Sequence, residues 1–388
     1  MIAHRLDEEP TVNRIICADY NYNAAKNLEA SFQKVEAAKV DAKNIAEIVA
    51  LADGMDLLVN ALPPDFNLTL MKAALAGNLN YQDMASGPIE GVAFIDTVKQ
   101  QLSLDEEFKA KGLTALINTG SAPGLANVIA REAAEKMDSC ERLEIFFYDG
   151  VWTNKFIPFW WSPETAFGDM AAEPIIFEEG EFKQVPPFAN PIEFDFKNLG
   201  KRRVVDHEHE EPVTFPLFFK DLKYAGLKYG GPAMELAENF YKMGLLSREP
   251  VKINGGSVVP FDLICQLAPP APADEDSITE ALSEGMISEE GAFLVRAEGL
   301  KDDTPIRIDS YVNAPGLLEC FKKYKTTHES FLTGQSAFLF TKLFVLDKLT
   351  DKGVYPPEVL IKSTRDFYLD EASKLGITVE EFIETPVS

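Results

Sequence analysis

The chain has few of the residues on which several protein classes depend. Its four cysteines lie far apart and form no Cys-x-x-Cys pair, which argues against a disulfide framework or a cysteine-based zinc site. Lysine and arginine number 37 against 62 acidic residues, for a net charge of -25. This excess of acid argues against a nucleic-acid surface, because phosphate binding needs clustered Lys and Arg. No apolar run reaches membrane-spanning length. We therefore expect a cytoplasmic protein that binds neither nucleic acid nor membrane.

A glycine-rich turn is also missing where a nucleotide-binding fold would place one. Residues 11–19 read as a short apolar strand ending in Asp19. In doubly wound folds such an acid follows a Gly-x-Gly-x-x-Gly turn by about 20 residues. Counting back from Asp19 passes the first residue of the sequence. The sequence therefore predicts that the first strand and its turn are missing, either because translation starts upstream or because this form has lost part of a pyrophosphate site.

Residues 1–125 alternate short apolar strands with helical stretches. With 388 residues the chain is long enough for two domains. Strand-like segments near residues 14–18, 57–60 and 115–118 are separated by helical patterns, of which the first runs from Ala24 to Val35. Such alternation indicates right-handed crossovers. We expect an α/β fold in which a Rossmann-like doubly wound parallel sheet contains these three strands.

The pattern changes after about residue 125. Residues 142–149 alternate in polarity, and residues 293–298 and 304–310 read as a hairpin. Residues 126–334 are therefore predicted to form an α+β substrate and dimerisation domain. Helices from about 335 to 388 are expected to pack back on the first domain. The aromatic stretch from Phe146 to Phe167 predicts a homodimer through the second domain.

Small and polar residues follow the predicted strands of the first domain, where doubly wound sheets bind their ligands. Asp19 would accept hydrogen bonds from a ribose diol, and no Arg follows it to offset its repulsion of a 2′-phosphate. These features predict NAD rather than NADP as cofactor. The alternative role for Asp19 is a helix N-cap, for which Asn21 and Asn23 compete. The candidate cofactor-binding residues are Asp19, Asp41, Asn60, Ala61, Leu62, Pro63, Met84, Ala85, Gly120 and Ser121.

The order of several short motifs resembles the saccharopine dehydrogenase and reductase family, in particular its lysine 6-dehydrogenase-like members. These motifs are Ala18-Asp19, residues 59–64 (VNALPP), residues 81–85 (YQDMA), residues 120–127 (GSAPGLAN), residues 161–164 (WSPE), residues 209–214 (HEEPVT) and residues 353–358 (GVYPPE). The resemblance implies an NAD(P)-linked oxidoreductase acting on the C–N bond of an amino acid or amino-acid conjugate of the lysine or saccharopine type.

Oxidation of an amine requires a base, and histidine titrates in the suitable range. His207 and His209 share a face if they lie in a strand, so both could enter a cleft, with His209 the preferred base. The alternative is a solvated, charged strand edge. A metal site with a nearby Glu is conceivable, but no third ligand has a telling spacing, and we expect none. Asp83, at a strand end, is a candidate base or amine ligand, or alternatively a strand-end cap.

Two further groups are candidates for substrate binding. Arg202 and Arg203 could bind a substrate carboxylate bidentately, although a surface loop that balances nearby acids is the alternative. Trp161, with Phe159 and Trp160, could wall the site, although such clusters more often belong to a core. An NAD-linked amino-acid dehydrogenase is the leading interpretation. The alternatives are a saccharopine-reductase-like imine reductase and a non-catalytic dinucleotide-binding regulatory protein.

Overall fold

The computed structural model describes residues 1–89, 91–151, 160–272, 274–285 and 290–385. In chain order its strands are β1 (Ile15–Asp19), β2 (Val35–Lys39), β3 (Leu57–Asn60), β4 (Asn80–Asp83), β5 (Thr114–Leu116), β6 (Ser139–Asp149), β7 (Ile175–Glu178), β8 (Glu181–Gln184), β9 (Ile192–Phe196), β10 (Gly200–Asp206), β11 (Tyr224–Gly230), β12 (Val251–Ile253), β13 (Gly256–Val258), β14 (Gly291–Lys301), β15 (Thr304–Asn313), β16 (Gly353–Tyr355) and β17 (Thr378–Glu384).

The α-helices alternate with these strands along much of the chain. They are α1 (Ile2–Glu8), α2 (Tyr22–Glu29), α3 (Ile45–Leu51), α4 (Asn67–Gly77), α5 (Phe94–Leu102), α6 (Asp105–Ala110), α7 (Leu125–Ala134), α8 (Pro163–Met170), α9 (Glu211–Phe218), α10 (Pro232–Lys242), α11 (Pro260–Leu267), α12 (Glu275–Ser283), α13 (Leu317–Tyr324), α14 (His328–Val345) and α15 (Lys362–Lys374). Short 3-10 turns cover Pro64–Phe66 and Pro357–Val359. None of the described helices combines the length and hydropathy needed to cross a bilayer.

The chain divides into two compact units. The first comprises Met1–Glu132 and Leu332–Leu375, and the second comprises Ala133–Phe331 and Gly376–Ser388. The divisions at residues 132 and 331 fall inside α7 and α14. The sequence placed the corresponding boundaries at residues 125 and 334.

Local signals explain where several helices begin and end. The side chains of Asn21, Asn44 and Ser162 accept backbone N–H groups at the starts of α2, α3 and α8, which satisfies donors that a helix leaves free. At the end of α4, Asn78 adopts a left-handed conformation with φ of 54°, as C-terminal caps often do.

The first unit contains a four-stranded parallel sheet with the order β16-β5-β4-β3. Its core is apolar and includes Met71, Tyr81, Phe108 and Ile117, each at most 1% exposed. Because the strands are parallel, their carboxyl ends share one edge of the sheet. The predicted Rossmann-like architecture is confirmed.

The prediction that the segments near residues 14–18, 57–60 and 115–118 share one sheet is wrong. Strands β1 and β2 pair in parallel with each other in a separate two-stranded sheet. In a doubly wound sheet the second and fourth strands lie on either side of the first strand. Strand β1 of this chain corresponds to that second strand, and β3 corresponds to the fourth. Strands in such positions are too far apart to hydrogen-bond directly.

Two stretches predicted to be helical contain strand residues. The predicted helix from Ala24 to Val35 ends at Glu29, and Val35 begins β2. Near the C-terminus, Thr378–Glu384 forms β17, which pairs antiparallel with β15 in the second unit. Both segments gain hydrogen bonds from strands distant in sequence, which local propensity does not register.

The second unit is built on a nine-stranded mixed sheet. Its main order is β17-β15-β14-β6-β11-β10-β9, and β7 pairs with β11 and β8. Strands β6 and β11 are parallel, and the other pairs among its described strands are antiparallel. The predicted hairpin is confirmed as β14–β15. Phe146 and Phe167 are buried in separate apolar clusters, so these rings do not form the exposed surface expected of them. Residues 152–159 of the same stretch lie outside the described residues.

Candidate active site

In the second unit, a short connection from β10 to α9 carries both predicted catalytic histidines. At the end of β10, the buried carboxylate of Asp206 binds Lys228 and accepts a hydrogen bond of 2.6 Å from Asn190. The next residue, His207, donates its backbone N–H to the Leu227 carbonyl at 3.0 Å. Helix α9 then begins with Pro212 in its first turn, a position that suits proline. The connection is therefore fixed at both ends.

His209 is held by two carboxylates. Its Nδ1 lies 2.5 Å from Oε2 of Glu211 and 3.1 Å from Oε2 of Glu210. Glu211 is completely buried and Glu210 is 8% exposed. Burial disfavours the imidazolium, but the carboxylates of Glu211 and Glu210 outweigh it and raise the pKa of His209 to about 9. His209 is therefore protonated at neutral pH and can act there as an acid, and the base expected from the sequence stays a prediction.

His207 has the opposite environment. Its side chain is buried, and its ring meets Tyr229 edge-on with centroids 5.3 Å apart. Burial, helped by the charge of His209, lowers the pKa of His207 to about 3, so it stays neutral. The two histidines follow β10 and do not alternate within it, and the prediction of a shared strand face is wrong. The alternative of a solvated strand edge is wrong as well, because His207 and Glu211 are buried.

Further carboxyl groups surround His209. Burial raises the pKa of Glu210 to about 8, of Glu208 to about 7 and of Asp169 to about 6, and it also raises that of Glu329. The side chain of Asp169 is nevertheless open to solvent. With these raised pKa values Glu210 is largely protonated at neutral pH, so the charge of the site depends on pH. In their anionic forms these carboxyl groups favour a cationic ligand.

Aromatic rings form one side of this site. The ring centroid of Phe147 lies 6.3 Å from that of His209, 6.2 Å from Tyr229 and 4.5 Å from Phe293. These rings keep water from part of the cluster and lower the local dielectric. The ion pair between His209 and Glu211 is strengthened as a result.

A second polar group in the same unit involves the predicted tryptophan wall. Trp160 donates its Nε1–H to Asp149 at 2.7 Å and meets His328 edge-on at 4.8 Å. Burial raises the pKa of Asp149 to about 7 and lowers that of His328 to about 4. Trp161 packs against two apolar clusters, which favours the alternative of a core position. Phe159 lies outside the described residues.

A metal ion is sterically conceivable at the same place. Ligand atoms of His209, Glu210 and Glu211 all lie within 4.8 Å of one another, whereas the sequence paired His207 with His209. In the protonated form of His209 the same atoms bind each other directly. These contacts form without an ion, although Oε1 of Glu211 is buried without a hydrogen-bond partner among the described residues, and the expectation of no metal stays a prediction.

The two arginines do not form a joint carboxylate clamp. They belong to β10, not to a surface loop, and neighbouring strand residues point to opposite faces. Arg203 uses its guanidinium fork on Glu238, at 2.9 and 3.3 Å. The fork of Arg203 is occupied by an acid, as the alternative of balancing nearby acids implies, and its binding of a substrate carboxylate stays a prediction. Arg202 lies 3.3 Å from Glu290 and over the ring of Tyr148, and its role stays a prediction.

In the first unit, Asp83 is enclosed at the end of β4. One carboxylate oxygen accepts the Asn118 backbone N–H at 2.7 Å, and the other accepts Nε2 of Gln101 at 2.8 Å. Ser86 joins the network with Oγ 2.7 Å from acceptor oxygens of Gln101 and Asn118. Burial raises the pKa of Asp83 to about 7. Since Asp83 is 1% exposed, the geometry favours a strand-end cap over a base.

The predicted cofactor residues at the other strand ends differ in accessibility. Asn60 is buried and donates from Nδ2 to Asn67 at 2.8 Å and to the Tyr81 hydroxyl at 3.0 Å, so it positions the loop after β3. Ser121 is also buried, with Oγ 3.1 Å from the Thr333 hydroxyl. Of the remaining loop residues, the exposed ones are Ala61, Leu62 and Pro63, the half-buried ones are Met84 and Ala85, and the buried one is Gly120.

Asp19 and Asp41 are exposed at the ends of the first two strands. Each accepts a nearby backbone N–H, from Asn21 at 2.6 Å and from Lys43 at 2.9 Å. The cap of α2 is Asn21, so the alternative role for Asp19 is filled by its neighbour. Asp19 makes no ion pair with any described residue. This exposed, unneutralised carboxylate fits the ribose of an adenosine group.

Several residues of the candidate site were not singled out from the sequence. Glu210 and Glu211 carried a usable signal, because acids directly before a proline often mark the first turn of a helix. Asp169 and Glu329 carried none, since they lie far from His209 in sequence and only the fold brings them near.

Comparison with known proteins gives a consistent assignment. Residues 1–116 match the family model of the saccharopine dehydrogenase NADP binding domain, and residues 120–377 match that of the saccharopine dehydrogenase C-terminal domain. The carboxynorspermidine synthase of Vibrio alginolyticus is 26% identical over 360 residues, covering 90% of this chain and 84% of that protein. The carboxyaminopropylagmatine dehydrogenase of Synechocystis is 24% identical over 358 residues, covering 91% and 86%.

A solved structure shares the fold. The apo saccharopine dehydrogenase (L-Glu forming) from Saccharomyces cerevisiae superimposes with a TM-score of 0.70 at 13% identity, covering 99% of this chain and 97% of that one. With both family models matched along the sequence, the chain belongs to the saccharopine dehydrogenase family of NAD(P)-dependent oxidoreductases.

Proposed function

We propose that this protein is an NAD(P)H-dependent reductase that joins a primary amine of an aliphatic polyamine to a carboxylated carbonyl compound through an imine. The observation that carries the proposal is the imidazolium of His209, held by Glu211 and Glu210 in an acidic site. An acid, and not a base, is what imine formation needs at neutral pH.

The proposed reaction begins when the unprotonated amine attacks the carbonyl carbon and forms a carbinolamine. Because Glu211 holds Nδ1–H, the proton on Nε2 of His209 is the one available to the substrate. His209 donates this proton to the hydroxyl group, the C–O bond breaks, water leaves, and a protonated imine forms. The reduced nicotinamide, when bound, supplies the hydride that reduces the imine carbon, and the product is a secondary amine. His209, with 21% of its side chain exposed, then regains a proton from solvent.

The choice of a polyamine rests on charge. The carboxyl groups of Asp169 and Glu208 lie near a single imidazolium, and their anionic forms attract a ligand with several amino groups. The names of the Vibrio and Synechocystis relatives both denote carboxylated aliphatic amines. These two lines of support agree on the class of substrate.

The oxidation of a lysine-type amino acid, which the sequence favoured, runs in the opposite direction. Both directions need an unprotonated amine. The oxidative direction also adds water to the imine, a step that needs a base, whereas His209 is in its acid form at neutral pH and Asp83 is enclosed by hydrogen bonds. The acid form of His209 suits the reductive direction.

The test is amine-dependent oxidation of NADH or NADPH by the full chain. Diaminopropane, putrescine, agmatine and lysine would be offered with amino-acid semialdehydes, and secondary-amine products identified by mass spectrometry. We expect turnover with the di- or polyamines and little with lysine. Lysine oxidation without any polyamine product would contradict the proposal. Absence of turnover in every combination would support the non-catalytic alternative.

A further inference from the structure

The carboxyl ends of β1 and β2 place opposite charges next to each other. The two strands pair in parallel with Asp19 directly opposite Lys39. The backbone N–H of Val40 extends the pairing to the Asp19 carbonyl at 3.3 Å. In parallel strands, paired residues project to the same face. Asp19 and Lys39 are thus neighbours at one edge of the first unit.

Lys39 is unusual in so acidic a chain. Its side chain is exposed, and it makes no ion pair with any described carboxylate, Asp19 included. Its ammonium group instead lies 5.3 Å from the centroid of the Tyr20 ring, a residue that is 72% exposed. An exposed ring, an unpaired ammonium group and a carboxylate therefore stand together where the proposed cofactor places its adenosine.

We propose that Lys39 binds the 2′-phosphate of NADP and thereby offsets the selectivity of Asp19 for NAD. The inference rests on the proposed use of a nicotinamide dinucleotide. Asp19 alone repels a 2′-phosphate, whereas the ammonium of Lys39 attracts it, so the two effects oppose each other. The exposed face of Tyr20 offers a surface against which adenine stacks. The expected preference for NAD is thereby reduced.

No compensating cation follows Asp19 immediately in the sequence. The cation lies instead on the neighbouring strand, at the same level of the sheet. Pairing between strands brings it there, so the spacing along the sequence does not reveal it.

The test compares two adenosine ligands by isothermal calorimetry on the full chain, in the same buffer. Adenosine 5′-monophosphate presents the free 2′-hydroxyl, and adenosine 2′,5′-bisphosphate adds the phosphate. We expect Kd values within about threefold of each other. Lys39→Gln should weaken bisphosphate binding about tenfold and leave monophosphate binding within about twofold, since only the former loses a charge-assisted contact. Lys72→Gln, an exposed change on α4, serves as the matched control for overall charge.

Other outcomes overturn the inference in distinguishable ways. Equal weakening of both ligands by Lys39→Gln would mean that Lys39 supports the fold of this edge. A monophosphate preference above tenfold in the unaltered protein, unchanged by Lys39→Gln, would return selectivity to Asp19. Failure of both ligands to bind would remove the adenosine site and with it the cofactor assignment. If both bind as expected but no amine-dependent oxidation occurs, the proposed reaction fails while the role of Lys39 stands.

Discussion

The completely buried carboxylate of Glu211 lies 2.5 Å from Nδ1 of His209 and so fixes both the orientation and the charge of the imidazole. Glu211 begins helix α9, while His209 precedes it in the connection from β10. The contact therefore joins the first residue of α9 to the connection that precedes it. The second imidazole nitrogen, Nε2, remains available to donate its proton to a substrate.

Replacement of His209 by Gln should lower kcat for amine-dependent NAD(P)H oxidation about 100-fold, the usual contribution of general acid–base catalysis. His207→Gln should cost less, because His207 stays neutral at working pH. His4→Gln, a surface change in the first unit, is the control. Unchanged turnover in both His207→Gln and His209→Gln would remove this pair from the mechanism.

The rate should depend on pH through the acid form of His209. Its pKa is raised to about 9. The part of kcat/KM that depends on the proton of His209 should therefore be retained below that pH and fall as pH rises through it. Glu211→Gln removes the carboxylate that raises this pKa most, and the alkaline limb should move to lower pH. If the alkaline limb stays at the same pH in the Glu211→Gln enzyme, the limb belongs to a group other than His209.

Asp83 should make the protein less stable as pH rises. Its folded pKa of about 7 exceeds the ordinary value of 3.8, so its contribution is present below about pH 4 and lost as pH rises through about 7. A pKa that differs by one between the folded and unfolded chain corresponds to about 1.4 kcal/mol of stability. Urea unfolding should show a smaller loss of stability between about pH 5 and pH 8 in Asp83→Asn than in the unaltered protein. The exposed change Asp41→Asn should leave the pH dependence as it is.

The pair between Arg203 and Glu238 predicts an effect on stability and not on substrate binding. Arg203→Gln should lower the free energy of unfolding by about 1 kcal/mol, as for partly exposed ion pairs, with KM unchanged. Glu238→Gln should have a similar cost, and the double variant should cost less than the sum of the two. A tenfold rise in KM for Arg203→Gln alone would restore the role in substrate binding that the sequence suggested.

The expected homodimer should use exposed apolar side chains of the second unit. Met243 is 73% exposed and Leu267 is 70% exposed, and Val251 and Ile253 of the same segment are about half exposed. Burying such side chains between two copies favours association. Sedimentation at micromolar concentration should give a dimer mass that Met243→Glu with Leu267→Glu reduces to a monomer mass. A monomer in the unaltered protein would contradict the prediction.

Much of the architecture could be predicted because it depends on local patterns. The alternation that marks β14 and β15 is visible in the sequence. Strand β17 was missed because its identity depends on pairing with β15. The partner of Arg203 could not be predicted for the same reason, since Glu238 lies on a helix that only the fold brings close.

The chemistry of the candidate site also depends on contacts that the sequence does not show. The sequence singled out His209, and the structure places the acids Glu210 and Glu211 against its imidazole. The sequence did not identify the charge of His209, which depends on the burial of Glu210 and Glu211. His207 and His209 are the same residue type two positions apart, yet burial lowers one pKa and buried carboxylates raise the other.

The four-stranded sheet of the first unit and the nine-stranded sheet of the second unit each contain one strand from the C-terminal part of the chain. Strand β16 pairs with β5 in the first unit, and β17 pairs with β15 in the second. During synthesis from the N-terminus, these two strands leave the ribosome after every other described strand. Neither of these two sheets is complete until then, although all of its other described strands have already been made. Nascent chains of this protein therefore expose unpaired sheet edges, a state in which chaperones and aggregation compete.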